Sequence, residues 1–447
     1  VFVDNNVSSF SSLDQTITLI DNSIIDGGEG FDVDNRIVSY STLNQVIALS
    51  GNDIDDNFST GVEIRNYLRS GSTMDQDISL YNNSVTGDGA EGVYVFNAVL
   101  GNSTATQTIS LTNNDISNND HDNISIQSNV STFSSLDQTI SISGNEVNGS
   151  VNGNGIVIGA SANSASTITQ VIDITDNDST IDDNARGGIV IYDGAEGSSI
   201  SSTINIADNT ISGDGAEGIA IYNSARDGFG GTGTAIQEIT ISGNEVTDHL
   251  RSGIRIANRA TFFGEASQTI SITDNNVSGN EEAGIDISSD GAEGYASQTV
   301  LIGGNTISGN HQDGIVISDG AEGGFAFSEQ TIAIIDNLVT GNGGDGIVIL
   351  DGAEGEGGNA VIAVATQTAT ITGNTITGNT GYGLSIENGV DGAEGFADQT
   401  VNTGGNTITG NFAGGVSIEN SAYVSVYRDY QTISQANQLV NLNGDII

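Results

Sequence analysis

The clearest pattern in this chain is an alternation of apolar and small polar residues over short stretches. In residues 269–273, Ile270 and Ile272 alternate with threonine and serine. A period of two is typical of a β-strand with one buried face and does not fit a helix. Apolar Val277 follows after a turn, and Gly-Ile-Asp-Ile at 284–287 alternates again. The pattern therefore predicts a unit of three short strands joined by three turns.

This unit recurs along the whole chain at intervals of 30 to 37 residues. Asparagine stands seven residues after the first residue of thirteen units, from Asn22 to Asn406, and one place early in the last unit, at Asn437. Because so regular a register is not low complexity, we expect an ordered solenoid. The first residues of the fourteen units are Gln15, Gln45, Gln76, Gln107, Gln138, Gln170, Ser202, Gln237, Gln268, Gln298, Gln330, Gln367, Gln399 and Gln431.

Stacked copies of this unit predict an all-β fold, a right-handed single-stranded parallel β-helix of about 14 coils that forms one domain over residues 1–447. Isoleucine and valine would face inward in apolar ladders, and each recurring asparagine would bond to its copies in neighbouring coils. Glycine and asparagine suit the corners because both tolerate left-handed backbone. Proline, which cannot donate to a sheet, is absent.

Several short motifs resemble the parallel β-helix repeats of the pectate-lyase-like superfamily. They are Asn-Thr-Ile-Ser-Gly-Asn at 305–310, Asn-Thr-Ile-Thr-Gly-Asn at 374–379 and 406–411, and Gly-Ile-Val-Ile from Gly314. The resemblance covers nearly the whole chain and implies the fold. It implies little about activity, because that fold carries lyases, hydrolases, epimerases, phage tailspikes, adhesins and scaffolds.

Charge narrows the choice of partners. The chain has 57 acidic residues and 9 basic ones, all arginine, for a formal net charge of -48. Such a surface repels phosphate backbones and anionic lipids, so we expect neither nucleic-acid binding nor membrane insertion. Without cysteine the chain tolerates an oxidising compartment.

The two termini suggest self-association. Residues 1–10 match residues 124–133, so the chain begins inside the third strand of a coil, and Gly444-Asp445-Ile446-Ile447 resembles the start of that same strand. An open solenoid end exposes an unpaired strand edge. Two interpretations follow: the chain is a segment of a longer β-helix, or subunits stack head to tail into a filament.

An acidic pentapeptide, Asp-Gly-Ala-Glu-Gly, occurs seven times and falls on consecutive coils near the C-terminus. Stacked like charges about 5 Å apart would repel by roughly 3 kcal/mol per pair at a surface dielectric of about 20. Calcium held by these carboxylates would offset that repulsion. The alternative is a solvated glycine-rich turn whose carboxylates splay apart. The predicted metal ligands are Asp290, Glu293, Asp319, Glu322, Asp351, Glu354, Asp391 and Glu394.

Catalytic signatures are scarce. The chain has no lysine and no Gly-His-Gly, both of which the resemblance would lead one to seek in lyases and hydrolases. The best catalytic candidates lie in or next to the eighth coil: Arg255, Asp286 and His249. The alternative for Arg255 and Asp286 is a cross-strand ion pair of little energetic weight.

These observations favour an extracellular, secreted or cell-surface structural or adhesive protein over an enzyme. It would be a cation-stabilised filament subunit or adhesin segment whose partners are its own copies, glycans or cell-surface components. One alternative is a polysaccharide-active enzyme of the lyase type, with Arg255 and neighbouring acids at its centre. Another is a trimeric phage tailspike.

Overall fold

The computed structural model describes residues 1–177, 181–229, 231–323, 325–355, 363–392, 395–423 and 435–447. Every regular element within these ranges is a β-strand. Accordingly, no helix long and apolar enough to cross a membrane occurs among them. Backbone contacts divide the chain into two compact units, residues 1–220 with 228–235 and residues 221–227 with 236–447.

The first unit repeats a long strand, a second long strand and a short strand. Its strands are β1 (Phe2–Val7), β2 (Ser12–Ile20), β3 (Ser23–Ile25), β4 (Phe31–Val38), β5 (Thr42–Ser50), β6 (Asp53–Asp55), β7 (Val62–Arg69), β8 (Thr73–Tyr81), β9 (Ser84–Thr86), β10 (Val93–Leu100), β11 (Thr104–Thr112), β12 (Asp115–Ser117), β13 (Ile124–Ser131), β14 (Ser135–Ser143), β15 (Val147–Asn148), β16 (Ile156–Asn163), β17 (Thr167–Thr175), β18 (Ile181–Asp182), β19 (Ile189–Glu196), β20 (Ser199–Ala207) and β21 (Thr210–Ser212).

The second unit continues with the same order of strands, and β22 and β23 each have residues in both units. These strands are β22 (Ile219–Arg226), β23 (Thr234–Ser242), β24 (Glu245–Thr247), β25 (Ile254–Thr261), β26 (Glu265–Thr273), β27 (Asn276–Ser278), β28 (Ile285–Ala292), β29 (Tyr295–Gly303), β30 (Thr306–Ser308), β31 (Ile315–Glu322), β32 (Ala326–Ile335), β33 (Leu338–Thr340), β34 (Ile347–Gly355), β35 (Ala363–Thr372), β36 (Thr375–Thr377), β37 (Tyr382–Gly392), β38 (Gly395–Gly404), β39 (Thr407–Thr409), β40 (Gly414–Tyr423) and β41 (Gln435–Asn443).

Within each unit the long strands pair in parallel with the strand three elements later. In the first unit one sheet runs β1-β4-β7-β10-β13-β16-β19 and another runs β2-β5-β8-β11-β14-β17-β20. In the second unit the corresponding orders are β25-β28-β31-β34-β37-β40 and β26-β29-β32-β35-β38-β41. Short strands pair in the same way, as β24 does with β27. The prediction of an all-β parallel β-helix with three strands per coil is confirmed.

The alternating residues form the core as the pattern predicts. In β11 the side chains of Ala105, Gln107, Ile109 and Leu111 are buried, while the residues between them, two threonines and a serine, are exposed or half-buried. Ile109 pairs in register with Ile78 and Ile140, so isoleucine stacks on isoleucine from coil to coil. Each fully buried isoleucine contributes about 1.5–3 kcal/mol from the apolar surface removed from water.

Asparagine and glutamine ladders run through the interior. The backbone N and Nδ2 of Asn83 donate to Oδ1 of Asn114 at 2.9 and 3.0 Å, and Asn114 donates in turn to Asn145. Gln107 Nε2 donates to Gln76 Oε1 at 2.6 Å. The predicted amide ladder is therefore present, and it satisfies backbone groups at the corner as well as side chains.

Serine replaces glutamine at Ser202, and a neighbouring buried aspartate explains this replacement. The buried carboxylate of Asp193 accepts hydrogen bonds from Ser202 Oγ at 2.6 Å and from Gln170 Nε2 at 2.7 Å. A carboxylate offers no proton of its own when ionised, so it needs donors on both sides. Serine supplies a hydroxyl donor where glutamine stands in other coils.

The last coil departs from the prediction. Gln438, not Gln431, lies in the glutamine column, pairing with Gln399 and donating to its Oε1 at 2.7 Å. Gln431 lies outside the described residues. Asp445 takes the ladder position, accepting from Asn406 N and Nδ2 at 2.9 and 2.8 Å. Ile446 bridges to Thr407 of the short strand β39, so the expectation that the final residues begin a third strand is wrong.

Candidate functional site

The pentapeptides do not stack as one continuous column, because they lie in more than one register. Asp319 pairs with Ser289 and with Asp351, and Asn388 follows Asp351 in the next coil. All of these side chains are buried. Asp290 pairs instead with Gly320, on the outward face, where it forms an ion pair with Arg259 at 3.2 Å. A shift of one residue moves a side chain to the opposite face of a strand.

The glutamates of these pentapeptides lie elsewhere. Glu322 and Glu354 pair in register at the end of their strands and are exposed, and Asp391 shares that register with Glu354. Glu293 adopts a positive φ of 57° just beyond its strand. Glu394 lies outside the described residues. The predicted ligands whose side chains the structure describes thus do not converge on one set of sites, and calcium binding stays a prediction.

The three catalytic residues predicted from the sequence do not lie together, because two are on the surface and one is in the interior. Arg255 and Asp286 pair in register and lie 3.8 Å apart as an ion pair on the outward face. His249 is fully buried, and its backbone N donates to Asn280 Oδ1 at 3.2 Å. It therefore occupies a second asparagine ladder inside the coil rather than the face that carries Arg255.

The structure assembles a richer cluster that the sequence analysis missed, on the outward face of β4, β7 and β10. Three in-register rows place acids, arginines and aromatic rings side by side. We call this surface the acid–arginine face. Its residues are Asp32, Arg36, Glu63, Arg65, Tyr67, Arg69, Tyr94 and Phe96.

Three carboxylates converge at one edge of the acid–arginine face. Oxygens of Glu29, Asp32 and Glu63 all lie within 4.8 Å of one another. Burial raises the pKa of Asp32 to about 7, and a hydrogen bond and the negative charge of Glu29 add to this shift. Glu63 raises the pKa of Asp32 further, while Arg65 opposes the shift. Three carboxylates could hold a cation, but Arg65 already neutralises Glu63.

Arg65 is held in a fixed orientation beside these acids. Its guanidinium forms a two-point ion pair with Glu63, whose side chain is 6% exposed against 33% for Arg65. The hydrogen bond to Glu63 raises the pKa of Arg65. A guanidinium fixed in this way keeps N–H donors on its exposed side for a planar anion such as a carboxylate.

Aromatic rings border the arginine. The Phe96 ring lies 5.8 Å from Tyr67 and 6.2 Å from Tyr94, measured between centroids. Burial raises the pKa of Tyr94 to about 12, with Glu91 and Glu63 adding to the shift, so its phenol stays protonated at neutral pH. Beside Tyr67, a cavity of about 180 Å³ is lined by Arg36, Val38 and Arg69.

One sequence signal could have revealed this face. The stretches 31–38 and 62–69 come from consecutive coils, and each carries charged residues at alternate, outward positions. Residues 254–261 and 285–292 also carry charges at these positions, but two in each strand rather than three. A glycan with carboxylate groups would find hydrogen-bond donors, a fixed guanidinium and apolar rings together on this face.

Comparison with known proteins places the chain by fold. The family model for the right-handed beta helix region matches residues 177–430. A search of curated proteins finds no match. Among solved structures, a mutant of the periplasmic alginate epimerase AlgG is 12% identical, with a TM-score of 0.34 over 87% of this chain and 78% of that one. The A-module of the mannuronan C-5 epimerase AlgE6 of Azotobacter vinelandii is 13% identical, with a TM-score of 0.33 over 85% and 90%.

These neighbours overturn the prediction that the chain is not an enzyme, because the solved structures to which it is similar are epimerases. Identities of 12 and 13% and TM-scores below 0.5 assign neither a substrate nor a reaction to this chain. Neither self-association nor calcium binding is addressed by the comparisons, and both stay predictions.

Proposed function

The chain belongs to the right-handed β-helix family, and from that premise we propose that it is a polysaccharide-active enzyme of the lyase type. Its substrate would be an acidic glycan bound on the acid–arginine face. The observation that carries the proposal is the Arg65 guanidinium, fixed by Glu63 and bordered by the rings of Tyr67, Tyr94 and Phe96. This replaces Arg255 as the proposed centre.

Recognition would rest on charge and shape together. Arg36, Arg65 and Arg69 bring three of the nine arginines of a chain with net charge -48 onto this face. Arg65 pairs with a sugar carboxylate through two hydrogen bonds, and the arginines beside it draw in the neighbouring acidic units. The apolar faces of the sugar rings pack on Tyr67 and Phe96.

The proposed reaction removes the proton on the carbon next to the sugar carboxylate. The electron pair of that C–H bond forms a carbon–carbon double bond as the glycosidic C–O bond breaks. Tyr94, a protonated phenol, gives its proton to the departing oxygen. The base needs a pKa near the working pH, and Asp32 has such a pKa, about 7. Asp32 is 3% exposed, so the exposed Glu29 side chain has to swing aside for substrate to reach it.

The test is an assay of the full chain on alginate, polygalacturonate and hyaluronan, following the ultraviolet absorbance of the unsaturated product. Arg65→Ala should lose activity by about 100-fold or more, the effect of removing a charge-stabilising donor. Arg186→Ala, at an exposed turn position away from this face, serves as the control. Loss of activity in Arg255→Ala but not in Arg65→Ala would move the site to the eighth coil. No turnover on any acidic glycan would refute the proposal.

We also propose a location outside the cytoplasm, either periplasmic or extracellular. A chain without cysteine meets no disulfide constraint in an oxidising compartment. Its substrate under this proposal is a polymer of cell surfaces and matrices. Fractionation of the native host would test the location, and recovery of the chain in the cytoplasmic fraction would contradict it.

A further inference from the structure

An interior column of the second unit contains two adjacent carboxylates. Ser289, Asp319, Asp351 and Asn388 follow one another on consecutive strands of the same sheet. Their side chains are between 1 and 4% exposed. Neighbouring parallel strands lie about 4.8 Å apart, so Asp319 and Asp351 stack at that spacing inside the coil.

Four oxygens of this column have no hydrogen bond of ordinary geometry. Among the described residues, Asp319 Oδ2, both carboxylate oxygens of Asp351 and Oδ1 of Asn388 are buried with no hydrogen bond of ordinary geometry. Asp319 receives one bond through its other oxygen, from Ser328 Oγ. The backbone N–H groups of Gly320 and Thr366 also lower the pKa of Asp319, and that of Gly352 lowers the pKa of Asp351, but burial outweighs them in both cases. Asn388 is neutral, so its unpaired oxygen is an observation independent of the acids. Each buried acceptor left unpaired costs about 1–3 kcal/mol, and more when charged.

The glutamine ladder explains why no donor is available. In the first unit, Gln45 Nε2 reaches both Gln15 Oε1 at 2.6 Å and the column residue Asn35 at 3.3 Å. Beside Asp351, Gln367 Nε2 donates to Gln330 Oε1 at 2.9 Å and to the Leu350 carbonyl at 2.8 Å. Both N–H groups of Gln367 are thus used elsewhere, and neither is given to Asp351.

Asp193 shows what a buried aspartate in this column needs when the fold supplies donors. Gln170 and Ser202 both donate to its carboxylate. Asp319 and Asp351 have no equivalent pair of donors. Two neighbouring buried carboxylates and an amide oxygen without a geometric hydrogen bond form the kind of ligand set that hard cations take.

We propose that Asp319, Asp351 and Asn388 bind one calcium ion in the interior of the coil. The dipositive charge of the ion balances the two carboxylates, and the four unpaired oxygens of these side chains supply ligands. Backbone carbonyls or water complete the six to eight ligands that calcium takes. This site differs from a surface site on the pentapeptide turns, because Glu322 and Glu354 take no part in it.

The test is the metal content of the native full-length chain, measured by mass spectrometry after gel filtration in buffer containing Ca²⁺. We expect one equivalent of calcium per chain. Unfolding in guanidinium with chelator and refolding without metal should remove it and lower the thermal midpoint, and Ca²⁺ added during refolding should restore both. Mg²⁺ and Na⁺ in place of Ca²⁺ should restore neither fully.

Variants locate the site. Asp351→Asn should lose the bound equivalent yet fold, because asparagine occupies this column in other coils, as at Asn388 and Asn258. Asp319→Asn should behave alike. Asp193→Asn, a buried aspartate with its own donors, and Glu354→Gln, at the turn, should each retain the equivalent. Retention of calcium by Asp351→Asn would overturn the proposal.

Absence of calcium from the native chain, with a thermal midpoint that does not respond to Ca²⁺, would overturn the proposal as well. In that case the two carboxyl groups share a proton, and Asp351→Asn would raise the midpoint at pH 8 but not at pH 5. Glycan activity does not enter these measurements, so the outcome is independent of the proposed function.

Discussion

The buried carboxylate of Asp88 accepts two hydrogen bonds from Asn57, from the backbone N at 3.0 Å and from Nδ2 at 2.9 Å. Its own backbone N donates to Asn119 Oδ1 at 3.0 Å. Asp88 therefore occupies an asparagine ladder, and one of its oxygens, Oδ2, has no hydrogen bond among the described residues. Burial raises the pKa of Asp88 to about 7, with Asp55 and Asp56 adding to the shift and the bonds from Asn57 opposing it.

The first prediction concerns pH and Asp88. The folded chain binds this proton more tightly than the unfolded chain, whose carboxyl has a pKa of 3.8. The contribution of Asp88 to stability is therefore fully present below pH about 4 and is lost as pH rises through about 7. Asp88→Asn should raise the free energy of unfolding by about 2–4 kcal/mol at pH 8 and change it little at pH 4.

Denaturant titrations at the two pH values measure this effect. Asp274→Asn makes the same chemical change at an exposed position with left-handed backbone, which asparagine tolerates, and should alter stability by less than about 0.5 kcal/mol. Equal effects of Asp88→Asn at both pH values would contradict the assignment of a raised pKa.

The second prediction concerns the asparagine ladder. Asn114 Oδ1 accepts from the backbone N and Nδ2 of Asn83, and Asn114 Nδ2 donates to the Leu80 carbonyl at 3.0 Å. Asn114→Ala leaves these buried groups unpaired and should cost about 2–4 kcal/mol. Thermal and denaturant unfolding would measure the loss. Thr108→Ala, on the exposed face of the same coil, should cost less than about 1 kcal/mol.

The third prediction concerns the apolar ladder. Ile109 is fully buried between Ile78 and Ile140 of the adjacent coils. Ile109→Ala should destabilise the chain by about 2–5 kcal/mol, since neighbouring strands hold the cavity open, and Ile109→Val by about 0.5–1.5 kcal/mol. A cost for alanine no larger than that for valine would mean that the coil collapses around the missing atoms.

The fourth prediction rests on the proposed reaction and concerns its pH profile. If Asp32 is the base, activity rises with pH through about 7, because the carboxylate must be ionised. Glu29 raises the pKa of Asp32 through a hydrogen bond and its charge. Glu29→Gln should therefore move this limb to lower pH, and Asp32→Asn should abolish it. An unchanged limb in Glu29→Gln would exclude Asp32 as the titrating group.

The sequence alone was enough to predict the solenoid and its interior amides. Period-two alternation identifies strands from local information, and a repeat of about 31 residues leaves stacking as the way to bury every apolar stripe. The columns of Gln107 and Asn114 follow because identical residues recur at one spacing. These features depend on the register that most coils share, and the repeat shows that register in fourteen successive coils.

Where coils differ in length, only the tertiary structure decided which side chains lie next to each other. One residue of offset turns Asp290 outward while Asp319 and Asp351 point into the interior. A long last coil makes Gln438 rather than Gln431 the ladder residue. The pairing of Asp32, Glu63 and Tyr94 likewise joins residues about 31 positions apart. The exact register of a strand decides which face of the β-helix a side chain lies on and which side chains it contacts. Turn lengths set that register only once the coils have stacked.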